Sequence, residues 1–464
     1  MRSVIVWSLV VTGLAGCSAY DGDKARKEHA TRYAQALQEQ TSSVLQGQTP
    51  LGYEDCVRLA LDRNLDLRRA TIEQRIAKLQ KGVAFSRFLP ALSLNAQYAE
   101  SDPQILRQIM DMEVAMSDKV VSEISWQFRL SIFNPSTWFL YGLHSRGQEI
   151  ADLVALYTRQ GIVLQTTVLY FQCLSLEQTE KALQGQLAAA EALEQQVAAL
   201  QVEGVATESQ AAEASLQVLS KRTERTALQR VQAEAKARFA AFLGLTPMAD
   251  LSLKQDLPFG PIDRPLEDLV TEALLRQPRL QIADRQIAIE REKVRLAVAN
   301  FLPNVMGFAN RIDSSDSFLV YSDYWQFGLA GVLNVFDGLA NIETYKAAKE
   351  KSKEAFIQRE QQTLAVMVEV IQAYWDLQTA ADRAELTARA LDVAAGRLAE
   401  VRPKWQEGLV DTSDLLSSQA DLDKAQMKAL NARFQHQISI ATLLNAVGIT
   451  PVEPKESSHE NPEP

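Results

Sequence analysis

The chain has 464 residues, of which 47% are hydrophobic and 23% are charged, a balance that excludes a largely disordered or collagen-like protein. Its formal net charge of −10 argues against a nucleic acid as the main partner. Four His and three Cys, with no C-x-x-C pair and no H-E-x-x-H motif, leave zinc, haem c and thioredoxin-like redox sites without their usual ligands. We therefore expect no metal, no cofactor and no enzymatic activity.

Residues 1–16 predict a signal peptide. The apolar run Val4–Ala15 is too short to span a membrane as a helix, and it ends in L-A-G-C, which resembles the bacterial lipoprotein box. In that motif the Cys thiol becomes lipidated, so Cys17 is the candidate lipidation site and residues 17–50 form a lipid-anchored N-terminal segment. Ser18, by resemblance to sorting in Gram-negative bacteria, favours the outer membrane. The alternative is an ordinary signal peptide that ends by chance in a Cys.

Most of the remaining chain is an internal repeat, with residues 51–247 recurring as residues 265–451. The triplet F-L-P recurs at an offset of 213 residues, the triplet W-Q-F at 199 and the tetrapeptide pattern G-x-T-P at 204. The difference of 213 minus 199 means that the first copy carries 14 extra residues between two predicted strands. Residues 248–264, rich in Pro and Gly, predict a linker, and residues 452–464 predict a disordered tail.

Each copy predicts, in order, a helix, two strands, a long helix and a further helix. In the first copy the initial helix runs from Glu54 to about Arg87 and ends before the F-L-P triplet, since proline disfavours helix. Apolar residues then alternate with mostly polar ones over 92–98 and 124–132, the period of a strand with one apolar face. Weaker equivalents occupy 305–309 and 325–331. Each copy therefore predicts one β-hairpin, and because no other apolar run is long enough for a spanning helix, any membrane span must be β.

Long helices follow the strands. Ser136 to about Val202 predicts a helix of about 100 Å, and a turn at Gly204 leads into a return helix from Glu208 to Leu243 that stops at Gly244. In the second copy, Asp337 and Gly338 mark the start of the long helix. Its last helix carries a seam of mostly small residues at alternating three- and four-residue steps, typical of a coiled coil: Leu422, Ala425, Ala429, Ala432, His436, Ser439, Leu443 and Ala446. Cys56 and Cys173 fall in helical stretches and are predicted to be buried thiols, with a disulfide as the alternative.

The duplicated strand-strand-helix-helix plan, the F-L-P before each first strand and the run V-F-D-G at 335–338 resemble the lipoprotein branch of the TolC-type outer-membrane efflux channels, over residues 51–451. The resemblance implies a mainly α fold with a small all-β membrane part. In that fold a homotrimer forms a 12-stranded β-barrel in the outer membrane and a long periplasmic α-helical barrel. The requirement for several copies also follows from physical principles. Four strands are too few to close a barrel, and a sheet with open edges in lipid would leave backbone groups unpaired. Two, three or four chains would satisfy that argument, and only the resemblance selects three.

By the same resemblance the protein is a passive export channel of a tripartite efflux or type I secretion system. Its partners are then a periplasmic adaptor, an inner-membrane pump or ABC exporter, and outer-membrane lipid. The adaptor docks at the two helix turns, which correspond here to Gly204, Val205, Gly408 and Leu409. The alternatives are a lipid-anchored periplasmic coiled-coil scaffold or adaptor, and a hydrolase, for which no G-x-S-x-G motif is present.

Asp411 and Asp414 are the candidate residues of a periplasmic aperture. Asp414 lies six residues after Gly408, where the family carries an aperture acid, and a ring of carboxylates favours cations at a constriction. The family's second acid is replaced by Ser417 and its nearby basic residue by Val410. The alternative is that the two Asp residues only cap a helix, since they align with the capping-box pattern T-x-x-Q of the first copy.

Two further expectations concern single residues. Pro403 lies inside the second long helix where the first copy has Ala199, so we expect the second hairpin to be the mobile one. Aromatic residues on the strands suit either the girdles at membrane interfaces or simple packing on the sheet: Tyr98, Trp126, Tyr324 and Trp325.

Overall fold

The computed structural model describes residues 21–45, 50–109, 112–407 and 409–450. The helices there are α1 Gly22–Leu45, α2 Tyr53–Arg63, α3 Leu65–Ser86, α4 Pro135–Val202, α5 Glu208–Phe242, α6 Leu266–Arg276, α7 Pro278–Ala299, α8 Ala340–Gln406 and α9 Thr412–Val447. The strands are β1 Ala91–Glu100, β2 Leu106–Ile109, β3 Met112–Ala115, β4 Val120–Phe133, β5 Asn304–Ser314 and β6 Asp323–Val332. The predicted fold, mainly α with a small β part and duplicated in strand-strand-helix-helix order, is confirmed.

The prediction of one unbroken helix before the first strand is wrong, because Asn64 divides it into α2 and α3. The Asn64 side chain accepts hydrogen bonds from the backbone N–H groups of Asp66 and Leu67, at 2.9 and 3.4 Å, and so caps α3. Its amide also donates to the carbonyl of Phe242, at the end of α5, at 3.0 Å. The repeat has the same break at Gln277, whose amide donates to the carbonyl of Ala446, near the end of α9, at 3.0 Å.

The return helices end at glycines, as the sequence predicts. Gly244 and Gly448 both have positive φ, 73° and 86°. A Cβ at Gly244 would lie 2.9 Å from the carbonyl oxygen of Arg63, and one at Gly448 would lie 3.1 Å from that of Arg276. Glycine is therefore needed in each copy both for the left-handed conformation and for the close approach of the return helix to the helix break.

The four long strands form one antiparallel sheet in the order β1-β4-β5-β6. Each copy contributes one neighbouring pair, as predicted, and β4 pairs with β5 to join the copies. The 14-residue insertion lies where the offsets place it and forms a separate two-stranded sheet, β2 with β3, beyond the ends of β1 and β4. The base of this extra hairpin is held against the β5–β6 loop, because Ser317 donates its backbone N–H and its hydroxyl to the carboxylate of Asp118.

Two apolar cores lie where the short helices pack on the long ones, one in each copy. In the first core, Tyr53 of α2 packs edge-to-face against Tyr170 of α4, with ring centroids 5.7 Å apart. Part of the predicted linker belongs to this core, since Leu251 is fully buried and Leu253 forms a parallel β-bridge with Leu51. The Tyr170 hydroxyl donates to the carbonyl of Lys254. The first part of the linker is thus packed, and it ties the end of the first repeat to its beginning.

The long helices form a layer with two open edges. On the side near the strands, α4 packs against α3 and α7, and α7 packs against α8. On the side near the helix turns, α4 packs against α5 and α9, and α9 packs against α8. One edge of the layer is therefore formed by α3 and α5 and the other by α8. The sheet follows the same order, because the edge strand β1 continues from α3 and the edge strand β6 leads to α8.

Candidate functional site

The sheet has one apolar and one polar face. Residues paired across the strands share a face, so the rows can be read from the register. One row of the apolar face is Leu92, Phe128, Ala309 and Phe327, and its neighbour is Leu94, Trp126, Arg311 and Trp325. These large side chains are exposed, with Leu92 at 65% and Phe327 at 80%. An exposed apolar face of this size requires a partner that is not water.

The opposite face of the same strands is polar. Its central row is Ser93, Gln127, Asn310 and Gln326, lying between the apolar rows in the register but pointing away from them. The two faces of this single sheet therefore differ in polarity. From Ile124 to Ile132 the apolar face spans about 26 Å at roughly 3.3 Å per residue, close to the ~25 Å apolar band of an outer membrane.

Charged side chains lie on the apolar face toward the end of the strands that is farther from the helices. Arg311 lies over the ring of Trp325, with the guanidinium carbon 5.7 Å from the ring centroid, and pairs with Asp323 at 3.4 Å. Tyr98, Trp126 and Trp325 all lie on the apolar face, where an interfacial girdle needs them. Tyr324 is paired with Ile312 on the polar face, which agrees with the alternative of packing on the sheet and not with a girdle.

The edge helices carry exposed apolar stripes that sequence reasoning missed. On α3 the stripe is Ile72, Ile76, Leu79 and Val83, exposed by 46–70%. On α8 it includes Ile357, Leu364, Val368 and Trp375, exposed by 56–64%. Helical periodicity puts each stripe on the side of its helix opposite the buried residues that face the rest of the chain, such as Ala70 and Ala84 on α3. Both open edges of the layer are thus apolar.

The first helix turn has the geometry predicted for it. Gly204 adopts φ 76°, and the backbone N–H of Val205 donates to the carbonyl of Leu200 at 2.8 Å, which closes α4. Thr207 and Gln210 form the predicted capping box at the start of α5, with the Thr207 N–H donating to Gln210 Oε1 at 2.8 Å. Val205 is 70% exposed and lines a groove of about 410 Å³ between α4 and α5.

The second turn differs in its cap. Gly408 lies outside the described residues, whereas Leu409 is 69% exposed and donates its N–H to the carbonyl of Lys404 at 2.8 Å. Asp411 occupies the N-cap position of α9 with extended backbone but forms no side-chain capping bond. Asp414, in the first turn of α9, is exposed. The structure therefore places both carboxylates at the tip and does not give Asp411 the hydrogen bond that the capping interpretation requires.

The two helical hairpins are held together unequally. Within the first, ion pairs join α4 to α5 at Glu177–Lys236, Glu180–Arg225 and Glu191–Arg222, at 2.7–3.1 Å. Within the second, the described residues of α8 and α9 form one such pair, Arg397–Asp421 at 3.4 Å. Pro403 lies in the last turn of α8, as the sequence indicates.

Cys56 and Cys173 are free and buried in the first core, as predicted, while Cys17 lies outside the described residues. Burial raises the pKa of the Cys56 thiol, and burial also raises the pKa of Cys173 to about 12. His436, in the small-residue seam of α9, has a lowered pKa because it is partly desolvated.

No three His, Cys, Asp or Glu side chains within the described ranges are grouped to bind a metal ion. No helix in that part of the chain combines the length and the apolar composition needed to cross a membrane.

Comparison with known proteins identifies the architecture. Residues 269–449 match the family described as outer membrane efflux protein. The match lies within the second of the two repeats. It bears out the family resemblance predicted from the sequence, and the first repeat has the same order of strands and helices.

Individual relatives agree with the family. Protein CyaE of Bordetella pertussis is 25% identical over 224 residues, which are 47% of this chain and 47% of CyaE, so the chain spans about half the length of the curated relative it matches. The outer membrane protein VceC of Vibrio cholerae superposes with a TM-score of 0.69 at 17% identity, over 85% of this chain and 96% of VceC. The outer membrane channel CmeC of Campylobacter jejuni superposes with a TM-score of 0.73 at 16% identity, over 87% of each chain. These likenesses establish the fold.

Proposed function

We propose that three copies of this chain form a passive export channel in the outer membrane of a Gram-negative bacterium. The observation that carries the proposal is the sheet, which has an apolar face, a polar face and two unpaired edges. In lipid, each unpaired backbone group at an open edge costs several kcal/mol, so β1 of one copy must pair with β6 of the next. A closed sheet with its apolar face outward encloses a space lined by polar side chains.

The helical layer supports the same assembly. Its open edges lie on the same sides as β1 and β6, so a single head-to-tail contact pairs the strands and brings the apolar stripe of α3 against that of α8 in the next copy. Such a contact buries different surfaces on the two partners and therefore generates a ring if its rotation closes. Three copies supply twelve strands, the number that the family resemblance implies.

The energy for export comes from outside this chain. We propose that a periplasmic adaptor docks at the helix turns Gly204, Val205, Gly408 and Leu409 and connects the duct to an inner-membrane pump or ABC exporter. The exposed Val205 in its groove and the exposed Leu409 support this, because apolar side chains at a helix tip are suited to burial against a partner. A tripartite efflux system or a type I secretion system would use the same arrangement.

We further propose that Asp411 and Asp414 form the acidic ring of the periplasmic aperture. The exposure of both carboxylates and the missing capping bond of Asp411 support this role over capping alone. Single-channel recordings of Asp414→Asn test it. A loss of cation preference is expected, and unchanged selectivity and divalent block would exclude the ring.

Lipidation of Cys17 is a separate proposal, supported by the L-A-G-C sequence before a Cys at the end of the signal peptide. Acyl chains contribute about 0.8 kcal/mol per buried methylene to membrane attachment. Mass spectrometry of the mature N-terminus should show an acylated Cys17, and globomycin should block processing. An unmodified Cys17 would refute this proposal and leave the channel proposal intact.

The channel itself is tested by outer-membrane fractionation, gel mobility and planar-bilayer recording of the purified full chain. We expect oligomers that resist SDS until heated, and discrete conductance steps in the bilayer. The alternative, a lipid-anchored scaffold, offers no reason for a sheet with an exposed apolar face, and it would give a detergent-solubilised protein without conductance. That result would refute the channel.

A further inference from the structure

A cavity of about 500 Å³ lies on the polar face of the sheet, at the end of the strands that adjoins the helices. Its walls come from all four long strands, from the end of α3 and from the first two turns of α4. Every strand of the sheet contributes, including the edge strands β1 and β6, so one chain supplies all the lining residues. On the proposed function, on which this inference rests, the polar face surrounds the duct, so the cavity opens toward molecules in transit.

Two arginines and no carboxylate line this cavity. Arg87 follows α3, and Arg129 lies on the polar face of β4, where its guanidinium donates to Gln127 Oε1 at 2.5 Å. Neither guanidinium forms an ion pair with a described residue. Two positive charges without a counterion favour an anion, and guanidinium groups bind carboxylate and sulfonate oxygens with directional hydrogen bonds.

The second copy of the repeat shows whether the fold itself requires arginine at these two positions. At the offsets of 213 and 199, Arg87 and Arg129 correspond to Asn300 and Gly328 in the second copy. The second copy builds the same junction of strands and helices without a positive charge. The arginines are therefore not needed to form the junction.

The rest of the lining specifies the ligand further. Apolar side chains, including Leu89, Leu140 and Met306, form much of the wall, and a cavity of this volume accommodates a molecule of drug size. The 68-residue helix α4 begins here, and its N-terminus adds positive potential.

We propose that this cavity is a transit site for amphipathic organic anions. Arg87 and Arg129 bind the anionic group, and the apolar wall contacts the body of the molecule. In a ring of three copies the site occurs three times around the duct. The acidic tip and the basic junction would then present opposite charges to cargo at the two ends of the helical part.

The test uses the purified full chain and 6-hydroxynaphthalene-2-sulfonate, with the neutral 2-naphthol as its matched probe. Calorimetry in detergent should give saturable binding of the sulfonate and much weaker binding of the naphthol. Arg87→Gln and Arg129→Gln should each weaken sulfonate binding about tenfold, the loss expected for one charged hydrogen bond, and leave the naphthol unaffected. Arg87→Lys should retain part of the affinity, and Arg107→Gln, in the exposed hairpin beyond the sheet, should retain all of it.

Channel recordings separate the two proposals. Block of single-channel current by the sulfonate, relieved in the Arg87→Gln, Arg129→Gln double variant, would support the transit site. Channels that conduct but are not blocked, or equal binding of the two probes, would overturn it while leaving the channel standing. Unchanged sulfonate affinity together with less co-purified phospholipid in the double variant would assign the arginines to lipid and also overturn it. Absence of any conductance would instead overturn the proposed function.

Discussion

Two buried amide side chains occupy the same position in the two repeats. Asn64 and Gln277 are 4% and 1% exposed, and each stands at a break between two helices and donates to the end of the return helix of its own repeat. Both breaks have a local signal in the sequence, because asparagine is a favoured N-cap residue and Gln277 precedes Pro278, which disfavours helix in the residue before it. The hydrogen bonds to Phe242 and Ala446 join residues far apart in the chain, so they could not be predicted from the sequence.

We expect Asn64→Ala to lower the stability of the folded chain. The substitution removes a helix cap, typically worth about 1 kcal/mol, and the hydrogen bond to Phe242, which adds about another 1 kcal/mol. Thermal melting of the helical circular dichroism signal should therefore shift down by several degrees. The control is Gln74→Ala, which removes an exposed amide bonded to Asp152 at 3.1 Å and should change little. Equal melting of the two variants would show that the Asn64 contacts are unimportant.

The buried thiols should be unreactive in the folded protein. The thiolate is the reactive form, and burial raises the pKa of Cys173 to about 12 and also raises that of Cys56. A thiol reagent at pH 8 should therefore modify neither residue until the chain is unfolded in detergent and denaturant. Prompt modification of the native protein would contradict the burial of these side chains.

Stability should fall at high pH for the same reason. Burial also raises the pKa of Tyr53 to about 12. Because the folded chain holds these groups neutral, their contribution is complete below the pKa of the unfolded state, about 8.5 for Cys and 10 for Tyr. It is lost progressively as the pH rises toward 12. Melting temperatures measured from pH 8 to 11 should decline, and the decline should be less steep in Cys173→Ala. A melting temperature that did not change with pH would contradict the predicted loss of stability.

At the scale of the elements, the sequence predicts the strands better than it predicts the linker between the two repeats. Period-two alternation correctly predicts which residues of β1 and β4 share a face. The same alternation puts Tyr324, which is adjacent to Trp325, on the opposite face, in agreement with its pairing with Ile312. The packing of Leu251 and Leu253 in the linker is absent from the sequence signal, because proline and glycine there indicate only a lack of regular structure. Long-range contacts decide that case.

The second helical hairpin should be the more mobile one. Three ion pairs join α4 to α5, against one among the described residues between α8 and α9. Backbone amides near the end of α8 should therefore exchange with deuterium faster than those near the end of α4. Pro403→Ala restores a helical hydrogen bond and should slow that exchange and reduce openings in channel recordings. Ala199→Ser in the first hairpin is the control, and equal exchange at the two tips would refute the asymmetry.

At the scale of the whole molecule, the proposed assembly depends on the two edges of the helical layer. The stripes on α3 and α8 could not be assigned from the sequence, because each helix carries apolar residues on two sides, one buried within the chain and one exposed. The apolar pattern alone does not show which side is exposed. The assignment depends on which helices lie at the edge of the layer.

Leu79→Asp on α3 and Val368→Asp on α8 should each prevent trimer formation. Either substitution removes about 2 kcal/mol of apolar burial from every contact around the ring and places a charge there. Size-exclusion chromatography with light scattering should show monomers that retain their helical content. The matched control is Lys78→Asp, an exposed position away from the α3 stripe, which should remain trimeric. Trimers in the two stripe variants would exclude this interface.

Duplication gives the proposed ring two kinds of symmetry. Each half-chain supplies two strands and one helical hairpin, so the backbone repeats six times around the axis. The features that distinguish the halves, namely the hairpin β2–β3, the pair of arginines and Pro403 in α8, repeat only three times. A molecule on the axis would therefore be surrounded by two chemically distinct kinds of sector that alternate around it, and each half-chain could change its side chains independently while the other kept the ring closed.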